Sequence, residues 1–300
     1  MSFSDTWLFL QQGVLSGLVT GSVYALLALA IVAVFKTTDV PNFAQGEIFM
    51  MGGYVALTLL LIVKLPYALV IPLTVLALAA GAALFQRVVM ERVTRSRGVG
   101  VQLVIATLGL AYFLKGLVRQ TGLGATPRSL PSLVGNDAVI IGDAALTRLD
   151  VAIFVFAVLT MVLIYLLFTH TRVGRAMRAV GMNPRGAQIV GIRLSRIRML
   201  VWALSGLISA IAALLISPKI LITPDIAHIA ILAYAAAIVG GFTSLPGAVL
   251  GGFVIGVVEN LVGLFVSTNA IVVAPFLAIL LTLLLRPQGI LGGKVEVKKV

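Results

Sequence analysis

The sequence predicts an all-α polytopic membrane protein with about 8–9 transmembrane helices, some of them broken or short, and one helix in a cytoplasmic loop. Composition is the first reason: 60% of the 300 residues are hydrophobic and 11% charged, and mean hydropathy is +1.14, whereas soluble domains carry about 25% charge. The second is that the apolar runs are continuous rather than alternating, which excludes a β-barrel. The third is their length, close to the ~20 residues that cross a bilayer as helix. No stretch remains for a soluble domain, so residues 1–300 read as a single transmembrane domain.

The net charge of +12 sits mostly in loops between apolar runs. It therefore sets topology and touches anionic lipid, and nucleic acid is not an expected partner. There is no cysteine. His170 and His228 have no carboxylate at ligand spacing, so no metal site is expected. There is no phosphate-binding loop, and the ten acids are scattered, which argues against nucleotide hydrolysis or metal-assisted chemistry by this chain.

The first run, Leu8 to Phe35, carries Gly13, Gly17 and Gly21, then Ala25. That spacing makes a small-residue stripe suited to close helix packing. The break K-T-T-D-V-P-N-F-A-Q-G-E follows, with Pro41 as the stop and Asn42 with Gln45 as a capping pair for the next helix. Glu47 stands near that helix's start. It either lies beside a solute path at a discontinuous helix or stabilises its own helix terminus. A third run from Pro66 ends at Arg87, and a basic loop holds Arg87, Arg92, Arg95 and Arg97. The fourth, Val101 to Val118, includes Lys115, expected to snorkel. Residues 119–150 are rich in turn formers, and Val151 to Phe168 is the fifth run.

Thr169 to Arg198 is the longest polar interruption and holds seven of the 22 Lys/Arg, including Arg178, with no acid. Such a loop stays in the cytoplasm. Within it Asn183 and Pro184 mark a helix start and Gly191 a stop, with Ala187, Val190 and Gly191 giving a small, smooth face. A helix of about two turns cannot stand alone in water. It packs in a soluble partner's groove or lies on lipid headgroups.

Met199 to Ile216 is the sixth run. Residues 226–266 read equally as two spans or as a re-entrant hairpin, with Gly247, Gly251, Gly252 and Gly256 repeating the small-residue spacing. Glu259 and Asn260 lie within this apolar stretch, where an ionisable group marks either function or a structural pair with Asn260, Lys115 or backbone. The last run, Ile271 to Leu285, leads into a basic tail. Placing the basic loops and tail inside puts the N-terminus outside and the C-terminus in the cytoplasm.

Four motifs carry a resemblance. R-A-V-G-M-N-P-R-G-A-Q-I-V-G-I, N-F-A-Q-G-E-x-x-M-x-G-x-Y, G-G-F-T-S-L-P-G-A-V-L-G-G and P-Q-G-I-L-G together run nearly end to end. The chain resembles the permease subunits of branched-chain amino acid ABC importers. Gln45 stands where that family has histidine, and Met182 where it often has an acid. The resemblance implies an ATP-driven importer in a bacterial inner membrane, moving branched-chain or other hydrophobic amino acids. It further implies separate ATPase subunits that hold the ATP, a second permease subunit, identical or related, and a solute-binding protein. This chain would then be no enzyme and bind no cofactor. On that reading Asn42, Gln45, Glu47, Glu259 and Asn260 line the solute path, and Arg178, Asn183, Pro184, Ala187, Val190 and Gly191 couple to the ATPase. The seven glycines pack helices. The alternative is a self-contained ion-coupled carrier for a small zwitterionic or polar solute, using Glu47 and Glu259 as ion sites.

Overall fold

The computed structural model describes residues 3–95, 100–135 and 137–293. Arg97 of the basic loop and the tail beyond residue 293 lie outside these, as does the side chain of Arg95. In order the elements are α1 (Phe3–Thr38), α2 (Gln45–Leu57), α3 (Tyr67–Phe85), α4 (Glu91–Arg95), α5 (Gly100–Arg119), β1 (Ala138–Ile141), β2 (Ala144–Thr147), α6 (Arg148–His170), α7 (Arg172–Met182), α8 (Pro184–Ile189), α9 (Leu194–Ile216), α10 (Ile229–Gly240), α11 (Leu245–Phe265) and α12 (Ala270–Leu285). Widened π turns extend α2 over Thr58–Ile62 and join α3 to α4 over Gln86–Met90.

The protein is an all-α polytopic membrane protein. Among the described residues seven helices are long and apolar enough to cross a membrane, and Ile226–Gly240 and Ala270–Leu285 are shorter apolar helices. At about 1.5 Å per residue these two fall short of the ~30 Å hydrocarbon core. Residues 226–266 are therefore one short helix and one full-length helix.

The chain forms two compact units. One contains Met1–Val32, Ser132–Met161 and Ile231–Val300, the other Ala33–Pro131 and Val162–Ala230. In the first unit α1 lies against α11 with almost no side chain between them. A Cβ at Gly17 would lie 2.6 Å from Val257 Cα, and one at Gly21 2.8 Å from Gly252 O. Reciprocally, Gly252 abuts Ala25, and Gly256 abuts Gly17 and Gly21. Gly13 completes the seam against Leu261 and Leu264. Lipid tails are as apolar as leucine, so such backbone-to-backbone contact is what holds membrane helices together. The second glycine stripe is not one face. Gly252 and Gly256 turn to α1, while Gly247 and Gly251 turn to Gly240 and Ala236 of α10.

The turn-rich segment before α6 holds a feature that the sequence did not announce, the antiparallel hairpin β1–β2. Its turn passes through Gly142 at φ +66°. Gln12 of α1 holds its edge with both amide atoms, accepting from Ala145 N at 3.1 Å and donating to Ala145 O at 3.0 Å. Behind it Asp150 Oδ2 accepts from Thr147 N and Oγ1 at 3.2 and 2.8 Å, while Thr147 Oγ1 accepts from Asp150 N at 3.1 Å, a capping box that starts α6. After α12 the tail folds back on α10. Ile290 N donates to Val239 O at 2.8 Å and Leu291 N to Gly240 O at 3.0 Å. Gly289 and Gly241, both at positive φ, touch there, so two of the sequence motifs pair with each other.

In the second unit α9 is the axis against which α2 and α3 pack. Trp202 is buried, its ring 5.4 Å from that of Phe85. Gly206 receives the Leu78 carbonyl of α3, and a Cβ at Gly52 of α2 would lie 2.7 Å from Ala213 Cβ.

Candidate functional site

Two regions of the second unit combine the sequence-predicted residues with unusual local structure. The first is the entry into α2. Helix α1 ends at Thr38, three residues before Pro41, and Asp39 adopts φ 56°. Aspartate tolerates this left-handed conformation better than most residues. Asn42 and Gln45 then form a pair, Asn42 Nδ2 donating to Gln45 Oε1 at 3.0 Å. It is not the expected capping pair: Ala44 is the N-cap, without a side-chain cap bond, and Asn42 Oδ1 accepts from Ala44 N at 3.2 Å before the helix begins.

The network continues into α9. Ser205 Oγ donates to Gln45 Oε1 at 2.8 Å, Gln45 Nε2 donates to Ser209 Oγ, and Ser209 Oγ donates to Ser205 O at 2.9 Å. Asn42, Gln45, Ser205 and Ser209 are all 0% exposed. Phe43 N donates to Thr107 Oγ1 near the middle of α5, at 3.3 Å. The non-helical stretch therefore lies level with the middle of two apolar helices. Irregular backbone is tolerated at such depth only where protein groups satisfy it, and these amides and hydroxyls do so. Gly46 abuts Ala227 O at the start of the short helix that leads into α10, and a Cβ there would be 2.9 Å from Ala230 Cβ. Two helix starts thus meet at one glycine. Glu47, one residue further, is half-buried.

Along the other end of α2 and α5 runs a cavity of about 590 Å³, with Met51, Val55, Leu61 and Leu117 on its walls and Tyr54 and Arg128 among its polar groups. Nearby, Lys115 does not merely snorkel: its Nζ lies 2.8 Å from Asp225 Oδ1, with Arg119 Nη2 at 3.4 Å. The hydrogen bond and charge of Lys115 hold the Asp225 carboxyl below the usual aspartate range.

Glu259 and Asn260 belong to the first unit. Asn260 Nδ2 donates to Thr20 Oγ1 and to Gly256 O, both at 2.9 Å. The Tyr24 side chain hydrogen-bonds Glu259. Among the described residues no cluster of metal-ligating side chains occurs.

The second region is 169–198, which is largely helical rather than a loop with one short helix. In α7, Gly174, Met177 and Val180 are buried while Arg172, Arg175 and Arg178 are exposed. Each set repeats every third residue, offset by two, which places the sets on opposite sides of the helix. That period was legible in the sequence and is the signal that a helix precedes Asn183. Thr171 caps α7, accepting from Gly174 N at 2.9 Å, and Gly181 abuts Lys36 O at the end of α1. Asn183 caps α8, accepting from Gly186 N at 2.9 Å, with Pro184 as first residue and Gly191 at φ +82° after the end.

One assignment is corrected here. Ala187 is 2% exposed and faces the protein's own interior, so it shares no outward face with Val190 and Gly191. The outward surface is instead Met182, Ile189 and Val190, at 79%, 86% and 74% exposure. Helix α8 ends at Ile189, so the i, i+3, i+4 spacing from Ala187 no longer describes one helical face.

The family of branched-chain amino acid transport system permease components matches residues 13–285. The chain belongs to this family. It is 32% identical to the high-affinity branched-chain amino acid transport system permease protein LivH of Salmonella typhimurium, across 99% of this chain and 100% of the relative. It is 31% identical to the permease protein BraD of Pseudomonas aeruginosa, across 97% and 98%. The probable permease LivH of Methanocaldococcus jannaschii is 31% identical across 94% and 93%. No solved structure matches. The protein is accordingly a multi-pass membrane permease component.

Proposed function

We propose that this chain is the membrane-spanning subunit of an ATP-driven importer that moves branched-chain or other hydrophobic amino acids inward. Three large apolar side chains, Met182, Ile189 and Val190, project from a doubly capped helical element studded with arginine, and this carries the proposal. An exposed apolar knob of this kind fits a groove in a soluble partner, here an ATPase subunit that binds the ATP. The chain itself holds no cofactor in this reading. A solute-binding protein delivers substrate on the outer side, and a second permease, identical or related, completes the pore. The basic element 169–198 lies in the cytoplasm of a bacterial cell, with the N-terminus outside, the C-terminus inside and the inner membrane as its location.

The solute path runs beside the entry of α2, where Asn42, Gln45 and Glu47 stand. The cavity of about 590 Å³ supports an apolar zwitterionic solute, having mainly aliphatic walls and Arg128 to meet a carboxylate. Glu259 has a structural partner in Tyr24, so no titrating ion site is needed to explain it. The test is amino acid uptake by proteoliposomes containing the full assembly, with ATP inside and all ion gradients collapsed by ionophores. Accumulation is expected to persist and to require ATP. Loss of accumulation while ATP hydrolysis continues would overturn the proposal.

A further inference from the structure

We propose that the cleft between the π turn of α3 and the start of α9 binds the phosphate-bearing headgroup of an anionic phospholipid in the leaflet on the side of 169–198. That this leaflet is the cytoplasmic one rests on the orientation proposed above; the site and its test do not.

The cleft encloses about 600 Å³ and is lined by Arg87, Glu91, Arg92, Arg193, Ser195, Arg196 and Met199. Four guanidinium groups thus converge where one carboxylate stands. That carboxylate is engaged: Ser195 Oγ donates to Glu91 Oε2 at 2.6 Å, and Arg198 also lies within its electrostatic reach. Among the described residues no salt bridge joins any of the four arginines to an acid. An unbalanced cluster of four fork-shaped donors is matched by an anion with several oxygens.

The local geometry brings these arginines together. Arg87 and Arg92 are five residues apart, which a regular α-helix would rotate by about 140°. The π turn over Gln86–Met90 holds an extra residue and closes that angle, so both line the same cleft. Arg193 and Arg196 are three residues apart at the start of α9 and meet them.

What decides between a lipid and a soluble anion is the surface next to the cleft. Leu84, one turn from Arg87, is 61% exposed, Val88 is 40% exposed, and Leu200, one turn from Arg196, is 42% exposed. Residues three or four apart on a helix share a face. The arginines therefore sit at the edge of an apolar surface that continues along both membrane-crossing helices. A headgroup phosphate in the cleft would leave its acyl chains on that surface. A soluble phosphate would use only the arginines, and a cytoplasmic protein would have to enter the acyl region to use the rest.

The experiment is native mass spectrometry of the full chain in detergent, given equal amounts of phosphatidylglycerol and phosphatidylcholine with matched acyl chains. Phosphatidylglycerol should be retained preferentially, and Arg87→Gln with Arg196→Gln should weaken that retention on the order of tenfold or more. Arg172→Gln with Arg175→Gln, on α7, should leave it unchanged. These side chains are exposed, and unaltered thermal unfolding with unaltered phosphatidylcholine retention would establish that the variant is folded. As a second readout on the unmodified chain, the preference should fall when ionic strength rises from about 0.05 to 0.5 M, as exposed charges are screened.

Equal retention of the two lipids overturns the proposal. Complete displacement of phosphatidylglycerol by millimolar inorganic phosphate overturns it in favour of a free-anion site. Retention of lipid by the Arg87/Arg196 variant, with loss of subunits that copurify with the unmodified chain, overturns it in favour of a protein contact. None of these outcomes bears on whether ATP drives uptake.

Discussion

The entry of α2 and the tip of α8 reverse the ordinary distribution of side chains in opposite ways. At the first, amides and hydroxyls of Asn42, Gln45, Ser205 and Ser209 are 0% exposed. At the second, the apolar Ile189 and Val190 stand in the open. The contrast separates a finished structure from an unfinished one. The buried groups satisfy one another through a closed network, and a polar group buried without a partner costs about 1–3 kcal/mol. Among the described residues nothing covers the exposed ones, so their cover is expected from a partner. Destroying the first should therefore cost stability, and destroying the second should cost partnership alone.

The largest effect is expected from the backbone contact on which the α2 entry rests. Gly46→Leu would drive a side chain into the Ala227 carbonyl, and folded, detergent-stable protein should be lost, as measured by fluorescence-detected gel filtration. Recovery of stable protein with normal uptake would mean the two helix starts need not meet. Next comes Gln45→Leu, which removes the acceptor of Asn42 Nδ2 and Ser205 Oγ and the donor to Ser209 Oγ. A loss of about 2–4 kcal/mol is expected, from three buried hydrogen bonds lost at about 1 kcal/mol each, read as a lowered thermal midpoint in detergent. An unchanged midpoint would show that the network contributes no stability.

Ile189→Asp with Val190→Asp should leave that midpoint within a degree or two, because surface changes usually stay within about 0.5 kcal/mol. Uptake should nonetheless fall at least ~10-fold, since each 1.4 kcal/mol lost at a contact is about a factor of ten. Ala187→Arg sharpens the comparison from the opposite side. With 2% exposure it should lower the midpoint by unseating α8, and a normal midpoint with lost coupling would return Ala187 to the outer face.

The smallest effect belongs to Asp225. Its pKa is held down in the folded protein, first by the hydrogen bond from Lys115 and then by that charge. The contribution is therefore present above the ordinary aspartate pKa and is lost as pH falls through the lower folded value. Asp225→Asn should flatten only this acid limb of a stability profile, and slightly, because the carboxylate is exposed and screened. A change near neutral pH would point to another group.

Much of this architecture was legible in order along the chain. Continuous apolar runs, clustered arginines, and the Asn183, Pro184 and Gly191 signals depend on hydropathy, charge and backbone preference, which are local properties of residues. The α7 helix was equally local, but the arginines at 172, 175 and 178 that carry its period of three also give the segment the charge density of a polar loop. The hairpin at 138–147 was obscured because its strands are four residues each, too short for alternation to stand out, and because Gln12, 133 residues away, holds its edge.

What the sequence by itself determined was where the long apolar runs lie, which loop is basic and where α8 begins and ends. Only the tertiary structure decided which way each side chain on those elements faces. Gly247 and Gly252 look alike in the chain, yet one meets α10 and the other α1. Ala187 and Val190 look like one face, yet one is buried and the other open. Gln45 reads as a cap, yet its amide is bonded to serines more than 150 residues away, at separations of 160 and 164. The reason is physical. In a chain this apolar, burial is no longer encoded by a contrast between polar and apolar faces, since lipid accepts either packed or unpacked leucine. Facing is then set by shape and by hydrogen-bond satisfaction, and both require the neighbour to be present.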